Sequence, residues 1–251
     1  VPMNIDDISK VGIVGAGLMG HGIAFSYAVG GYRTALWDSD PAALDAAMAK
    51  IRWTADLFVE EKMLSPEEAD ATVARIEPAA SLAALTSDAD FVTEAIVERL
   101  EDKQRLFAEL DELCPSHTIL ASNTSYFEAS AFARDVARPG KVVVTHFFAP
   151  PAVVPGVEVV KGVQTSDETF DLTCALIERM NHVPIRVMKE MHGHLLNRLQ
   201  RAMTNEALSM WAQGVASAED IDLGVRTTFG FRTPGEGPMG HYDLARIWAW
   251  P

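Results

Sequence analysis

Three glycines in the run Gly15-Ala-Gly17-Leu-Met-Gly20, entered from the apolar stretch Lys10 to Val14, suit the binding of a diphosphate. Gly15 permits a tight turn, Gly17 lets the backbone come close to the phosphates, and Gly20 lets the following helix pack on the strand. Leu18 and Met19 complete the cofactor-facing turn, Met19 as an apolar filler, and a helix from about His21 adds free N–H groups and the positive end of its dipole. Asp38 closes a second apolar run, Thr34 to Trp37, where a carboxylate can accept hydrogen bonds from ribose hydroxyls and would repel a 2′-phosphate. With Asp40 close by, the pattern predicts NAD over NADP; the plainer alternative is a turn aspartate at a strand end.

These residues need a scaffold, and the hydrophobic pattern supplies one. Short β-rich runs recur at Val11 to Val14, Thr34 to Trp37, Phe91 to Ile96, Thr118 to Leu120, Val142 to Phe148 and Val157 to Val160. Helix-like segments separate most of them: Leu44, Met48, Ile51, Ala55 and Phe58 within Pro41 to Met63, and Leu106, Leu110 and Leu113 within Leu100 to Leu113, have helical spacing. Alternating strands and helices predict an α/β, Rossmann-type, doubly wound and mostly parallel sheet covered on both faces. After Val183 to Val187 the character changes. Leu195 to Trp211 reads as a long amphipathic helix, Ser217 to Val225 as another with a serine cap, and Phe229 to Met239 as a loop rich in Gly and Pro. The expected division is a dinucleotide-binding domain over 1–188 and a smaller all-helical domain over 189–251.

Composition narrows the partners. A chain of 251 residues, 48% apolar, can bury a substantial core. The formal charge of -14, without any Lys/Arg run, disfavours nucleic acid and anionic membrane surfaces. No apolar stretch is long enough for a membrane span, and the first residues lack an export pattern, with Met3 a candidate natural start behind Val1 and Pro2. Cys114 and Cys174 stand apart from each other and from metal-ligand spacing, which predicts neither a disulfide nor a metal site and fits a reducing cytoplasm. His182, His192, His194 and His241 read as surface or linker histidines, and Trp248 and Trp250 as packing residues.

Beyond the glycine turn, Ala95-Ile-Val-Glu98 followed by Lys103, Ala121-Ser-Asn-Thr-Ser125, His146-Phe-Phe148 with Glu158 beyond it, and Asn197-Arg-Leu199 occur in the order of one family. Through them almost the whole chain resembles the L-3-hydroxyacyl-CoA dehydrogenases. The resemblance implies NAD-dependent oxidation of a secondary 3-hydroxyl to a ketone, most directly L-3-hydroxyacyl-CoA to 3-ketoacyl-CoA, in fatty acid metabolism. It assigns His146 as the base that removes the hydroxyl proton and Glu158 as the carboxylate that orients it. Such chemistry needs a base that titrates near neutrality and a partner for the imidazolium that forms. The resemblance also places Ser125 and Asn197 around the substrate oxygen, and Ala95, Glu98, Lys103 and Asn123 at the cofactor. Plainer readings stand beside these: Ser125 ending a strand, Asn197 capping or solvating its helix, and Glu98 with Lys103 as an exposed pair at a helix start. A homodimer through the helical domain is implied as well.

The chain departs from the family in places. The histidine motif continues Ala149-Pro150 where the family has Asn-Pro; the linker before Asn197 reads Met191-His-Gly-His194 instead of Pro-Gly-Phe. The helical arm after the second strand carries Glu60, Glu61 and a single Lys62 where the family often has several lysines for the CoA phosphates. The segments His194 to Gln200 and Gly230 to Arg232 are also similar to the branch that oxidises free hydroxy acids such as gulonate or carnitine, in which Arg232 would bind a carboxylate. A hydroxyisobutyrate dehydrogenase type would need a catalytic lysine in its helical domain, and no lysine follows Lys189. A third alternative is a non-catalytic, NAD-binding structural relative.

Overall fold

The computed structural model describes residues 3–246 and Ala249; Trp248 and Trp250, like Val1 and Pro2, lie outside the described residues. Contacts divide the chain into two compact units, one through Leu195 and one from Leu196, so the first extends past Met188.

The first unit is an eight-stranded sheet. Its strands are β1 (Lys10–Val14), β2 (Arg33–Trp37), β3 (Ile76–Pro78), β4 (Phe91–Glu94), β5 (Ile119–Ser122), β6 (Val142–Phe147), β7 (Gly156–Val160) and β8 (Val183–Val187), in spatial order β3-β2-β1-β4-β5-β6-β7-β8. All neighbours are parallel except β6 and β7, which run antiparallel. The order reverses direction between β1 and β4, which opens a crevice at the carboxyl ends of the strands.

The helices are α1 (Gly20–Val29), α2 (Pro41–Glu60), α3 (Pro66–Ala74), α4 (Leu82–Thr86), α5 (Leu100–Leu113), α6 (Ala129–Phe132) and α7 (Asp167–Arg179). Because strand side chains alternate, continuous apolar runs are shared between two cores. Ile13, Phe91, Val143, Phe147 and Val159 join Phe25, Ile51, Phe58 and Phe170 on one face. Val14, Val92, Leu120, Val144 and Val160 join Leu106, Phe107, Leu110 and Phe132 on the other. The same alternation sends Glu94, Ser122, His146 and Glu158 to the second face, near the carboxyl ends of β4, β5 and β6 and the middle of β7.

The stretch read as one helix over Pro41 to Met63 stops at Glu60, because Lys62 turns left-handed with φ 60°; α3 then restarts from a Ser65–Glu68 capping box. Strand β3, three residues long, is too short to carry a period. In the second unit α8 (Leu196–Ala212) and α9 (Ala218–Thr227) follow the sequence pattern, the latter capped by Ser217. The predicted loop over Phe229 to Met239 is a correction: it holds α10 (Phe229–Arg232) and the start of α11 (Pro238–Leu244). Pro238 occupies the first helical turn, where a missing N–H costs nothing, so here proline starts a helix instead of breaking one.

Candidate active site

The glycine turn lies directly beyond β1. Gly15 sits at φ +103°, and a Cβ there would meet the Ala95 carbonyl at 2.6 Å; one on Gly20 would meet the Gly15 carbonyl at 1.7 Å. A Cβ on Gly17 would meet nothing within 4 Å, so this backbone faces open space that a ligand can approach. Leu18 is exposed, and Met19 caps α1 without a side-chain hydrogen bond to the helix start. Asp38, at the end of β2, accepts from the Ala16 N–H at 2.7 Å and the Asp40 N–H at 2.9 Å. It thus ties the turn to the strand end where a ribose would lie. A free helix start, an approachable glycine backbone and a carboxylate at the second strand form a set that fits a dinucleotide.

His146 stands opposite Glu158 in the β6–β7 ladder, and paired residues in such a ladder project to the same side. Its Nδ1 donates to Glu158 Oε2 at 2.7 Å, and both side chains are buried. Oε1 of the same carboxylate accepts from the Leu195 N–H at 2.9 Å. A carboxylate can only accept, so Nδ1 carries the proton and Nε2 of the neutral ring offers its lone pair. Ser125 Oγ lies 3.2 Å from that Nε2. The arrangement is a base with a fixed tautomer beside a hydroxyl that can hold the same substrate oxygen.

Beneath Ser125 is a network that sequence reading found only in part. Lys103 Nζ lies 2.6 Å from Glu94 Oε1 and 3.1 Å from Glu98 Oε2. The Lys103 side chain is 1% exposed, which rules out the plainer alternative of an exposed pair at a helix start. Glu94 also accepts from Ser122 Oγ at 2.6 Å and the Ile96 N–H at 2.8 Å. Glu98 Oε1 accepts from the Thr124 hydroxyl, and from the Ser125 N–H at 2.9 Å and the Tyr126 N–H at 3.2 Å. Burial pushes the Glu98 carboxyl upward, but the Thr124 hydroxyl, the Lys103 charge and the Ser125 amide outweigh it and hold the group below its ordinary range. Asn123 Oδ1 accepts from the Phe147 N–H at 2.9 Å, which joins the end of β5 to β6. Ala95 meets the glycine turn, its N–H donating to the Val14 carbonyl at 2.8 Å.

His194 is the second correction. It is fully buried, not a surface or linker residue: its ring centroid is 5.4 Å from that of His146, and its Nε2 lies 2.9 Å from the Thr124 carbonyl. The signal was its replacement of an apolar family residue within a matched motif. Asn197 lies in the first turn of α8, in the second unit. Arg232 is half-exposed and 3.7 Å from Glu236.

Residues 10–191 match the 3-hydroxyacyl-CoA dehydrogenase NAD binding domain, and residues 193–247 the 3-hydroxyacyl-CoA dehydrogenase C-terminal domain. The chain is 35% identical over 241 residues to a 3-hydroxyadipyl-CoA dehydrogenase of Escherichia coli (strain K12), covering 96% of itself and 49% of that protein. It is 34% identical over 244 residues to an L-carnitine dehydrogenase of Streptomyces griseus, covering 97% of itself and 72% of that protein. The crystal structure of 3-hydroxybutyryl-CoA dehydrogenase from Escherichia coli K12 superposes with a TM-score of 0.84 at 35% identity, over 89% of this chain and 46% of that one. The chain therefore spans about half the length of the two Escherichia coli proteins.

Proposed function

Because the chain belongs to the 3-hydroxyacyl-CoA dehydrogenase family, we propose that it oxidises the 3-hydroxyl of an L-3-hydroxyacyl-CoA to the ketone with NAD. The observation that carries this reading is the His146–Glu158 pair, with Ser125 at the free imidazole nitrogen. NAD, when bound, accepts the hydride from the carbinol carbon. His146 Nε2 takes the hydroxyl proton, and Glu158 stabilises the imidazolium that results. Ser125 Oγ donates to the substrate oxygen and holds it within reach of His146. Gly15, Gly17, Leu18, Met19 and Gly20 hold the diphosphate, Asp38 the ribose, and Ala95, Glu98, Lys103 and Asn123 shape the nicotinamide side. Asn197 is assigned to the substrate oxygen on the family motif.

A free hydroxy acid, of the carnitine or gulonate kind, is the second reading. Two observations favour it: Ala149 replaces the motif asparagine, and Glu60 and Glu61 close α2 beside a lone Lys62. The deciding assay follows absorbance in the NADH band, with acetoacetyl-CoA plus NADH against L-carnitine and L-gulonate plus NAD. Turnover of the thioester that falls about 10²–10⁴-fold in His146→Ala is the expected result. Turnover of a free acid alone moves the chain to the second reading, and NAD binding without turnover leaves a non-catalytic relative.

We also place the protein as a homodimer formed through the helical unit, in the reducing cytoplasm. Apolar side chains on α8 remain exposed and support the first assignment. Both cysteines are free and buried, with thiols pushed up to about 12 at Cys114 and about 11 at Cys174 by burial, in keeping with the second. No helix among the described residues is long and apolar enough to cross a membrane.

A further inference from the structure

The Thr124–Ser125 peptide is held from both of its polar ends. Its N–H donates to Glu98 Oε1 at 2.9 Å, and its carbonyl faces His194 Nε2 at 2.9 Å. A carbonyl accepts only, so His194 Nε2 carries the proton. Nδ1 of His194 is buried and has no hydrogen-bond partner among the described residues, so in the neutral ring it is a bare lone pair. A second proton there would be an unpaired buried donor and a buried charge. Burial first, and then the neighbouring His146, hold this imidazole below its ordinary range, with the Thr124 carbonyl, Glu158 and Glu98 opposing.

The backbone around His194 points the same way. His194 adopts φ 50°, a left-handed conformation unfavourable for a residue with a Cβ. In that conformation three successive residues reach three parts of the site: the Gly193 N–H donates to the Tyr126 carbonyl at 3.0 Å, the His194 ring to Thr124, and the Leu195 N–H to Glu158 at 2.9 Å. The segment spans both partners of His146, Ser125 on one side and Glu158 on the other.

We propose that His194 is a positioning residue for proton transfer: with Glu98 it clamps the Thr124–Ser125 peptide, and so fixes Ser125 Oγ against His146 Nε2. Its described hydrogen bond is to the Thr124 carbonyl, so its effect runs through Ser125. A displacement of Ser125 by a fraction of an ångström changes how the substrate oxygen meets the base, and misplacement on the order of 1 Å can cost about 10²-fold in rate.

The kinetic arm of the test rests on the dehydrogenase reading, and the second arm does not. His194→Phe keeps a ring but removes the donor; His194→Gln restores an N–H where Nε2 stands. His194→Phe is expected to lower kcat about tenfold with KM for NAD unchanged, and His194→Gln to recover most of that loss. In a Ser125→Ala background the added effect of His194→Phe should shrink to about twofold or less, because the two residues act as one unit. The second arm is amide hydrogen exchange at Ser125 by NMR, which should quicken in His194→Phe and return in His194→Gln. Additive kinetic losses, or Ser125 exchange unchanged in His194→Phe, overturn the proposal. Wild-type protein without turnover sinks the dehydrogenase reading alone, since Ser125 exchange still decides the clamp.

Discussion

Glu158 is the residue on which the orientation of the His146 ring depends, because it accepts hydrogen bonds from His146 Nδ1 and the Leu195 N–H on separate oxygens. Glu158→Gln keeps the size but places an amide donor within reach of Nδ1, which favours the tautomer with Nε2 protonated and no longer basic. Oxidation should fall about 10²-fold or more while NAD affinity, measured by fluorescence titration, stays within about threefold. The site was only partly legible at this scale. His146, Glu158 and Ser125 could be located because they sit in a motif whose order survives. Glu94 could not, since one carboxylate at the end of an apolar run resembles any strand terminus until Lys103, Ser122 and Ile96 are seen around it. His194 was misread because histidines in linkers are usually solvated, and burial is a property of neighbours distant in sequence.

Among the elements, the glycine turn and α1 form the least forgiving joint. A methyl on Gly20 would fall 1.7 Å from the Gly15 carbonyl, so the strand and helix would have to separate. Gly20→Ala should cost about 1–3 kcal/mol in urea unfolding and weaken NAD binding in calorimetry, whereas surface substitutions on α2 should do neither. Strands β1, β2, β4, β6 and β7 were readable because apolar runs buried on both faces leave few alternatives. Short elements such as β3, α4 and α10 were not, since three to five residues contain no full period and depend on the tertiary structure around them. Register adds what local composition lacks: alternation within each strand together with the pairing of neighbouring strands puts Glu94, Ser122, His146 and Glu158 on the face opposite Ile13, Phe91 and Phe147.

Across the whole molecule the two units differ in how they treat apolar surface. The first buries its large side chains in two cores, while α8, α9, α10 and α11 contain no buried residue among those described. On α8, Leu199 and Met203 lie four residues apart and Leu208 and Trp211 three apart, and each is close to half exposed or more. Apolar surface exposed to this extent on one helix is characteristic of a contact with another chain. Sedimentation velocity should therefore show a dimer, and Trp211→Glu should shift it toward monomer while leaving NAD binding to the first unit intact. A monomeric wild type at micromolar concentration would remove the dimer assignment.

The antiparallel pairing of β6 with β7 has a consequence for descent. His146 and Glu158 meet because they are opposite in a ladder, so their distance in space is fixed while the chain between them is not. The connection from Phe148 to Pro155 is anchored separately, its Pro151 carbonyl 3.0 Å from His182 Nε2, so the register of the strands and not the loop holds the pair. A lineage can therefore vary the exposed part of that connection while inheriting the His146–Glu158 pairing unchanged.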